Sequence, residues 1–179
     1  MSNHAAEQPR RLTPEEFRNV IGHFASGVTV ITTTVDGRPA GTTASAITSL
    51  TLEPPMLLIC MNQSSATGQA IARTGTFAIN ILGERHGDLA VRFARRGGDK
   101  FDGVAVSPGT VAGPLLDEAI AHLECRVAEQ VVAGTHVIFI ADVIDGTARP
   151  GEPLAYFRGR FGRLQLAAED GAGTERTGR

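Results

Sequence analysis

The chain has few cysteines, almost no net charge and no long apolar run, and each shortage closes off a class of function. Its two cysteines, Cys60 and Cys125, both lie inside apolar, strand-like stretches. Thiols placed that way behave as small buried hydrophobes in a reducing compartment, and nothing calls for a disulfide. The 17 basic and 19 acidic residues leave a formal net charge of −2. Such a balance provides no global attraction for nucleic acid or for an anionic membrane. No apolar run approaches the length of a membrane span. The polar stretch from Met1 to Arg11 lacks the apolar region of a secretory signal. A cytoplasmic protein is expected.

Familiar catalytic signatures are missing as well. The chain has no GxGxxG and no GxxxxGK[ST], so neither the dinucleotide fingerprint nor the P-loop is present. It has no HExxH and no CxxC. His122 and Cys125 are three residues apart on a strand pattern, a spacing that sends them to opposite faces. No metal site is expected. The absence of GxSxG removes local support for serine hydrolase chemistry.

What is present describes one domain, since 179 residues suffice to bury a real core. A flexible arm over 1–12, a folded domain over 13–166 and a disordered tail over 167–179 are expected from composition. Thr13, Pro14 and Glu16 form a helix start with a capping box. Phe17, Val20, Ile21 and Phe24 follow at helical spacing, which predicts a face packed on the core, and Ser26-Gly27 is read as the helix end. Val28–Val35 is rich in β-branched residues, and Asp36-Gly37 predicts a hairpin into a returning strand from Pro39.

Met56–Met61 is apolar on both faces, so a central strand covered on both sides is expected, with Pro54-Pro55 blocking regular pairing before it. A short helix from Ser64 or Ser65 to Arg73, a strand over Thr76–Leu82 and a helix over Glu84–Arg96 follow. The glycine-rich loop Gly97–Gly103 leads to a short strand and turn in Val104–Pro114. Longer strands are predicted over Ala119–Val131, Thr135–Ile144 and Leu154–Leu166. Six or so antiparallel strands with inserted helices suggest a small six-stranded Greek-key barrel, mainly β. The strand links are too short for a doubly wound fold.

The chain is organised around Gly41–Ser65. A run of small and hydroxyl residues, Thr42-Thr43-Ala44-Ser45-Ala46 with Thr48 and Ser49, precedes the apolar strand. Asn62-Gln63-Ser64-Ser65 follows it and opens a helix. Small residues let a flat or phosphorylated ligand approach the backbone, and unpaired N–H groups at a helix start suit an anionic phosphate. The bland alternatives are an edge strand rich in threonine and serines that merely cap the helix. His136 begins a strand after Gly134-Thr135, and by default such a lone histidine is a surface or structural residue. Lys100 is by default a solvated charge, with a cofactor contact as the functional alternative. Arg92, Arg95 and Arg96 read as solvated. Arg158 and Arg160 alternate along a strand and are within reach of a dinucleotide phosphate, although edge-strand charge is the ordinary explanation.

Several segments resemble the flavin reductase-like family: Phe24–Thr32, Gly41–Ala46, Ser49–Pro55, Phe77–Leu82, Asp99-Lys100-Phe101, Gly134-Thr135-His136 and Leu154–Gly159. Together they span about residues 15 to 166, and their order and spacing carry the resemblance. It implies an FMN-binding split β-barrel, usually a homodimer. It implies an NAD(P)H-dependent flavin reductase that passes hydride from NADH or NADPH to FMN or FAD and supplies reduced flavin to a partner monooxygenase.

By the same resemblance Thr43, Ala44, Ser45 and Ala46 line the flavin, with Ser49 nearby. Asn62, Ser64 and Ser65 match the flavin phosphate site, Lys100 and Phe101 a loop at the same pocket, and His136 a catalytic position beside the nicotinamide. The family often carries an acid where this chain has Thr135, which leaves the orientation of His136 open. Two alternatives keep the fold. One is a flavin-dependent oxidoreductase with its own organic substrate, and the other a non-catalytic flavin- or haem-binding module.

Overall fold

The computed structural model describes residues 10–167. The expected arm and tail therefore lie largely outside the described residues. The element order is α1 (Pro14–Ile21), β1 (Ser26–Gly27), β2 (Thr29–Val35), β3 (Arg38–Ala44), β4 (Ile47–Leu52), β5 (Pro55–Asn62), α2 (Ala66–Thr74), β6 (Thr76–Ile81), α3 (Gly87–Ala94), β7 (Val106–Ser107), β8 (Leu115–Leu116), β9 (Ala121–Ala133), β10 (His136–Ala148), β11 (Leu154–Phe157) and β12 (Arg160–Arg163). The chain is mainly β with a few helices.

The main sheet has seven strands rather than six, in the order β3-β2-β6-β9-β10-β5-β4, and every ladder between them is antiparallel. No ladder joins the edge strands β3 and β4. They are nonetheless consecutive in the chain, linked only by Ser45 and Ala46. A flat sheet would hold those edges roughly 29 Å apart, six strand spacings. Three Cα steps reach about 11 Å. The sheet must therefore curl until its edges nearly meet, leaving a seam at Ser45-Ala46. Both sides of the seam are tied down. Thr29 Oγ1 donates to Ala44 O at 2.7 Å, and Cys60 N donates to Ala46 O at 2.9 Å.

β2, like β6, is buried on both faces, and β5 is not. Ile31 joins a core with Leu57, Ile59, Ile71, Phe77, Ile79 and Phe139, while Val28 and Val30 join another with Leu82, Phe93, Leu116 and Leu154. Along β5 only Leu57, Ile59 and Met61 are buried, and Leu58 and Cys60 remain half-buried on the other face. Apolar residues on both sides of a strand do not by themselves state what covers each side. Pro54-Pro55 does not keep the strand from pairing. Pro55 is the first residue of β5, opposite Leu52, where a strand tolerates a missing N–H.

Two further expectations are corrected at the chain ends of the domain. The capping box of α1 forms as read, with Thr13 and Glu16 exchanging hydrogen bonds. Its apolar face, however, does not pack on the core: Phe17, Val20, Ile21 and Phe24 are all more than half exposed. Ser26-Gly27 is not the helix end but a short strand, β1, paired with β11. The final strand is a hairpin, β11 and β12, turning at Arg158-Gly159. Arg158 and Arg160 thus do not alternate along one strand.

Polar groups fix the loops that close the far side. Asn80 is fully buried; its amide donates to Val30 O and Thr32 Oγ1, and its Oδ1 accepts from Leu116 N. Glu124 is 3% exposed and accepts from the N–H groups of Thr110, Val111 and Ala112 and from the Thr110 hydroxyl. Burial alone would push its carboxyl up. The four hydrogen bonds outweigh burial and hold it below the usual carboxylate value. Neither residue stood out in the sequence as anything but a strand position.

Candidate active site at the seam

The seam opens into a cleft of about 910 Å³, at the upper end of the range for small-molecule sites. One wall is neutral: Ser45 and Ala46 from the seam, Ile47 and Thr48 from β4, Leu58 and Cys60 from β5. The other wall is mixed: Glu15, Arg18, Asn19 and Ile21 from α1, Gly22 and Phe24 just after it, and Arg158 with Tyr156 from the β11–β12 hairpin. Ser26 and Gly27 complete its floor.

Seam chemistry follows from its small residues. Ser45 and Ala46 belong to no strand and are exposed. Among the described residues, neither of their N–H groups donates to a protein acceptor. Free backbone donors beside short side chains suit the hydrogen-bonding edge of a flat ring. Thr43 lies just behind. Its hydroxyl donates to Ala90 O at 2.6 Å, tying β3 to α3 rather than facing the cleft. Ala44 is held in register with Thr29. Ser49 is exposed at a register shift between β4 and β5.

The helix-start residues occupy a neighbouring position. Asn62 Oδ1 accepts from the Ser64 N–H and hydroxyl, at 2.9 and 2.7 Å. Ser65 caps α2 by accepting from Gly68 N at 3.2 Å. Asn62 also lines a smaller recess of about 170 Å³ with Gln63, Gly68 and Gln69. The strand register connects this place to the cleft. Leu58, Cys60 and Asn62 lie on one face of β5, because alternate residues of a strand share a face. Directly opposite them on β10 stand Ile140, Ile138 and His136. His136 is exposed, with Nδ1 2.9 Å from the Thr135 hydroxyl. The neutral wall therefore runs as one strip from Ala46 through Cys60 to Asn62 and His136.

Lys100 and Phe101 are not on that strip. Lys100 Nζ donates to Gly41 O and Phe93 O, at 3.1 and 2.9 Å, and burial lowers its pKa. Phe101 packs edge-on against Phe93 at 5.0 Å. Both rings press on Gly41, where an added Cβ would lie 2.8 Å from Phe93 and 3.0 Å from Phe101. These residues brace β3 from behind. Of the two thiols, Cys60 lines the cleft, whereas Cys125 is fully buried and its thiol is pushed up to about 12 by burial and then by the neighbouring Glu124 charge. Sequence reasoning missed Arg18, Asn19, Tyr156 and Cys60 as cleft residues. For Arg18 and Asn19 the one signal was the apolar stripe of their helix, which was read as core; Cys60 was read as a buried hydrophobe.

Residues 21–165 match the flavin reductase-like domain. The chain belongs to that family. It is an oxidoreductase of the flavin reductase type. It is 53% identical over 153 residues to the reductase component of a 4-nitrophenol 4-monooxygenase/4-nitrocatechol 2-monooxygenase of Rhodococcus opacus, covering 86% of this chain and 82% of that one. It is 38% identical to a flavin reductase (NADH) of Kitasatospora aureofaciens, over 87% and 84% of the two chains. Among solved structures, the NADH:FAD oxidoreductase SgcE6 of Streptomyces globisporus C-1027 superposes with a TM-score of 0.81 at 35% identity, covering 89% of this chain and all of that one.

Proposed function

We propose that the protein is the NAD(P)H-dependent flavin reductase of a two-component monooxygenase, working in the cytoplasm and handing reduced FMN or FAD to a separate oxygenase. The observation that carries this reading is the seam. Two small residues with free N–H groups border a cleft of nucleotide size, in a chain of this family. The likeness to the nitrophenol system supports a phenol-hydroxylating oxygenase as the consumer of reduced flavin. In this reading the curled sheet is the split barrel that the family resemblance implies.

The flavin supplies the electron-carrying chemistry, accepting hydride from the nicotinamide. The chain supplies position and electrostatics. Thr43, Ala44 and Ser49 lie outside the cleft lining and flank Ser45 and Ala46, which border the ring. Their N–H groups offer hydrogen bonds to its polar edge. Asn62, Ser64 and Ser65, which the family resemblance assigns to the flavin phosphate, and His136, which it assigns to the nicotinamide, meet at one end of the same strip. Lys100 and Phe101 keep the β3 end of the seam in place. No residue has to act as a nucleophile or an acid, which accords with the lack of such a constellation.

The functional form is a homodimer, a reading supported by the uncovered apolar face of α1. A steady-state assay crossing NADH and NADPH with riboflavin, FMN and FAD tests the function. Turnover is expected only with flavin present, and no flavin-dependent oxidation of either nucleotide would sink the proposal.

A further inference from the structure

Arg158 occupies a position that an arginine rarely takes. It is the first central residue of the two-residue loop joining β11 and β12, with φ +48, followed by Gly159 at φ +79. Loops with two positive φ values favour Asn, Asp or Gly, because a longer L side chain crowds the backbone there. Among the described residues, the other positive-φ residue that is not glycine is Asp36, which tolerates the conformation. Strain of this kind persists where the surroundings hold it, and it tends to gather at functional sites. Here the surroundings do hold it. Arg158 N donates to Gly22 O at 3.1 Å, and its guanidinium reaches Asn19 Oδ1 at 3.4 Å.

The result places the Arg158 guanidinium beside α1, on the same cleft wall as Arg18. Among the described residues neither arginine forms an ion pair, although Glu15 lines the same wall. Two guanidinium groups against one carboxylate leave that wall positive on balance, opposite the neutral Ser45, Ala46 and Cys60. That polarity matches a ligand with an uncharged flat end and an anionic end. The start of α2, assigned above to a phosphate, supplies no cation of its own: its Asn62 and Ser65 oxygens accept from the chain's own N–H groups, and no cation lies in its first turn.

We infer that Arg18 and Arg158 form a phosphate receptor on the α1 side of the cleft, holding a phosphate of the nucleotide bound there. Guanidinium forks match phosphate oxygens in geometry and charge. The inference rests on the reading of the cleft as a nucleotide site. The phosphate belongs either to the flavin or to the nicotinamide dinucleotide, and binding measurements separate the two.

Arg158→Asn keeps a residue that tolerates positive φ while removing the charge, and Arg18→Gln changes an exposed helix position. Calorimetric binding of FMN, riboflavin and NAD⁺ to the wild type, each variant and the pair is the test. The pair should bind at least one phosphate-bearing ligand roughly ten- to a hundredfold more weakly. Riboflavin should stay within about twofold. Loss for FMN but not riboflavin assigns the flavin phosphate; loss for NAD⁺ alone assigns the dinucleotide. Unchanged binding of both, or equal loss for FMN and riboflavin, overturns the receptor while leaving the flavin reductase reading intact. A wild type that binds none of the three overturns both. Arg18→Gln leaves the hairpin untouched, so it carries the same test if Arg158 variants fold poorly.

Discussion

His136 stands directly across the β5–β10 ladder from Asn62, with the Thr135 hydroxyl 2.9 Å from its Nδ1. The pairing joins the end of the neutral wall to the one histidine proposed to act, and the Thr135 hydroxyl lies within hydrogen-bond reach of its ring. His136→Ala should therefore lower kcat/KM for the reduced nicotinamide by about tenfold while flavin affinity holds. Thr135→Val should cause a smaller loss, about threefold, as expected for one neutral hydrogen bond. Stopped-flow reduction and flavin titration measure the two quantities separately. A parallel loss of flavin affinity would move His136 to the flavin side of the site.

Glu124 anchors the 110–112 loop with a carboxylate, and this sets the second expectation. Glu124→Gln should destabilise the fold by about 2–3 kcal/mol at neutral pH, because buried N–H groups lose a charged acceptor. The pH dependence has a definite sign. The folded-state pKa is depressed, so the stabilisation is present above the unfolded carboxylate value and is lost as pH falls through the lower folded one. Urea unfolding of the wild type should weaken as pH drops below about 4.3. The glutamine variant should start weaker and show a shallower acid loss. Parallel pH profiles for the two proteins would exclude this role.

Local signals were legible, and long-range ones were not. The Thr13–Glu16 box, the Asp36-Gly37 turn and the helix start at Ser65 each depend on a few adjacent residues, and each formed. The order of strands depends on which apolar faces meet, and no short pattern encodes that. Hence the seam itself was invisible, although Ser45 and Ala46 were singled out by their small size. Periodicity marked the apolar stripe of α1 correctly but could not say that the domain leaves it uncovered. Arg18 was unmarked for a related reason. A helical arginine reads as solvated until a hairpin from the other end of the chain is brought beside it. Lys100 is the converse case, where a charge expected at the ligand contacts two backbone carbonyls instead.

That placement of Lys100 makes a prediction of its own. Lys100→Ala should lower unfolding free energy by about 1–3 kcal/mol, since Gly41 O and Phe93 O lose a charged donor. Any effect on the ligand should be indirect and equal for FMN and riboflavin, because the ammonium touches the β3 backbone rather than the cleft. Chemical denaturation and paired flavin titrations check this. A selective loss of FMN over riboflavin would return Lys100 to the phosphate.

The exposed α1 stripe supplies the test of the proposed dimer. Phe17 is 56% and Val20 62% exposed, on a helix with no buried residue. Because neither side chain contributes to the core of its own chain, Phe17→Asp and Val20→Asp should leave the melting of an isolated chain nearly unchanged. In a dimer the same changes place charge in an apolar contact. Losing a buried phenyl or isopropyl group removes roughly 1.5–3 kcal/mol of association, about ten- to a hundredfold in the dimer constant. A symmetric interface counts each substitution twice. Sedimentation equilibrium should show the wild type as a dimer and the double variant as a monomer that still binds riboflavin if the seam works within one chain. Loss of riboflavin binding on dissociation would instead mean that the second copy completes the neutral wall, along the half-buried strip of Leu58, Cys60, Ile138 and Ile140. A wild type that sediments as a monomer would remove the dimer from the proposal.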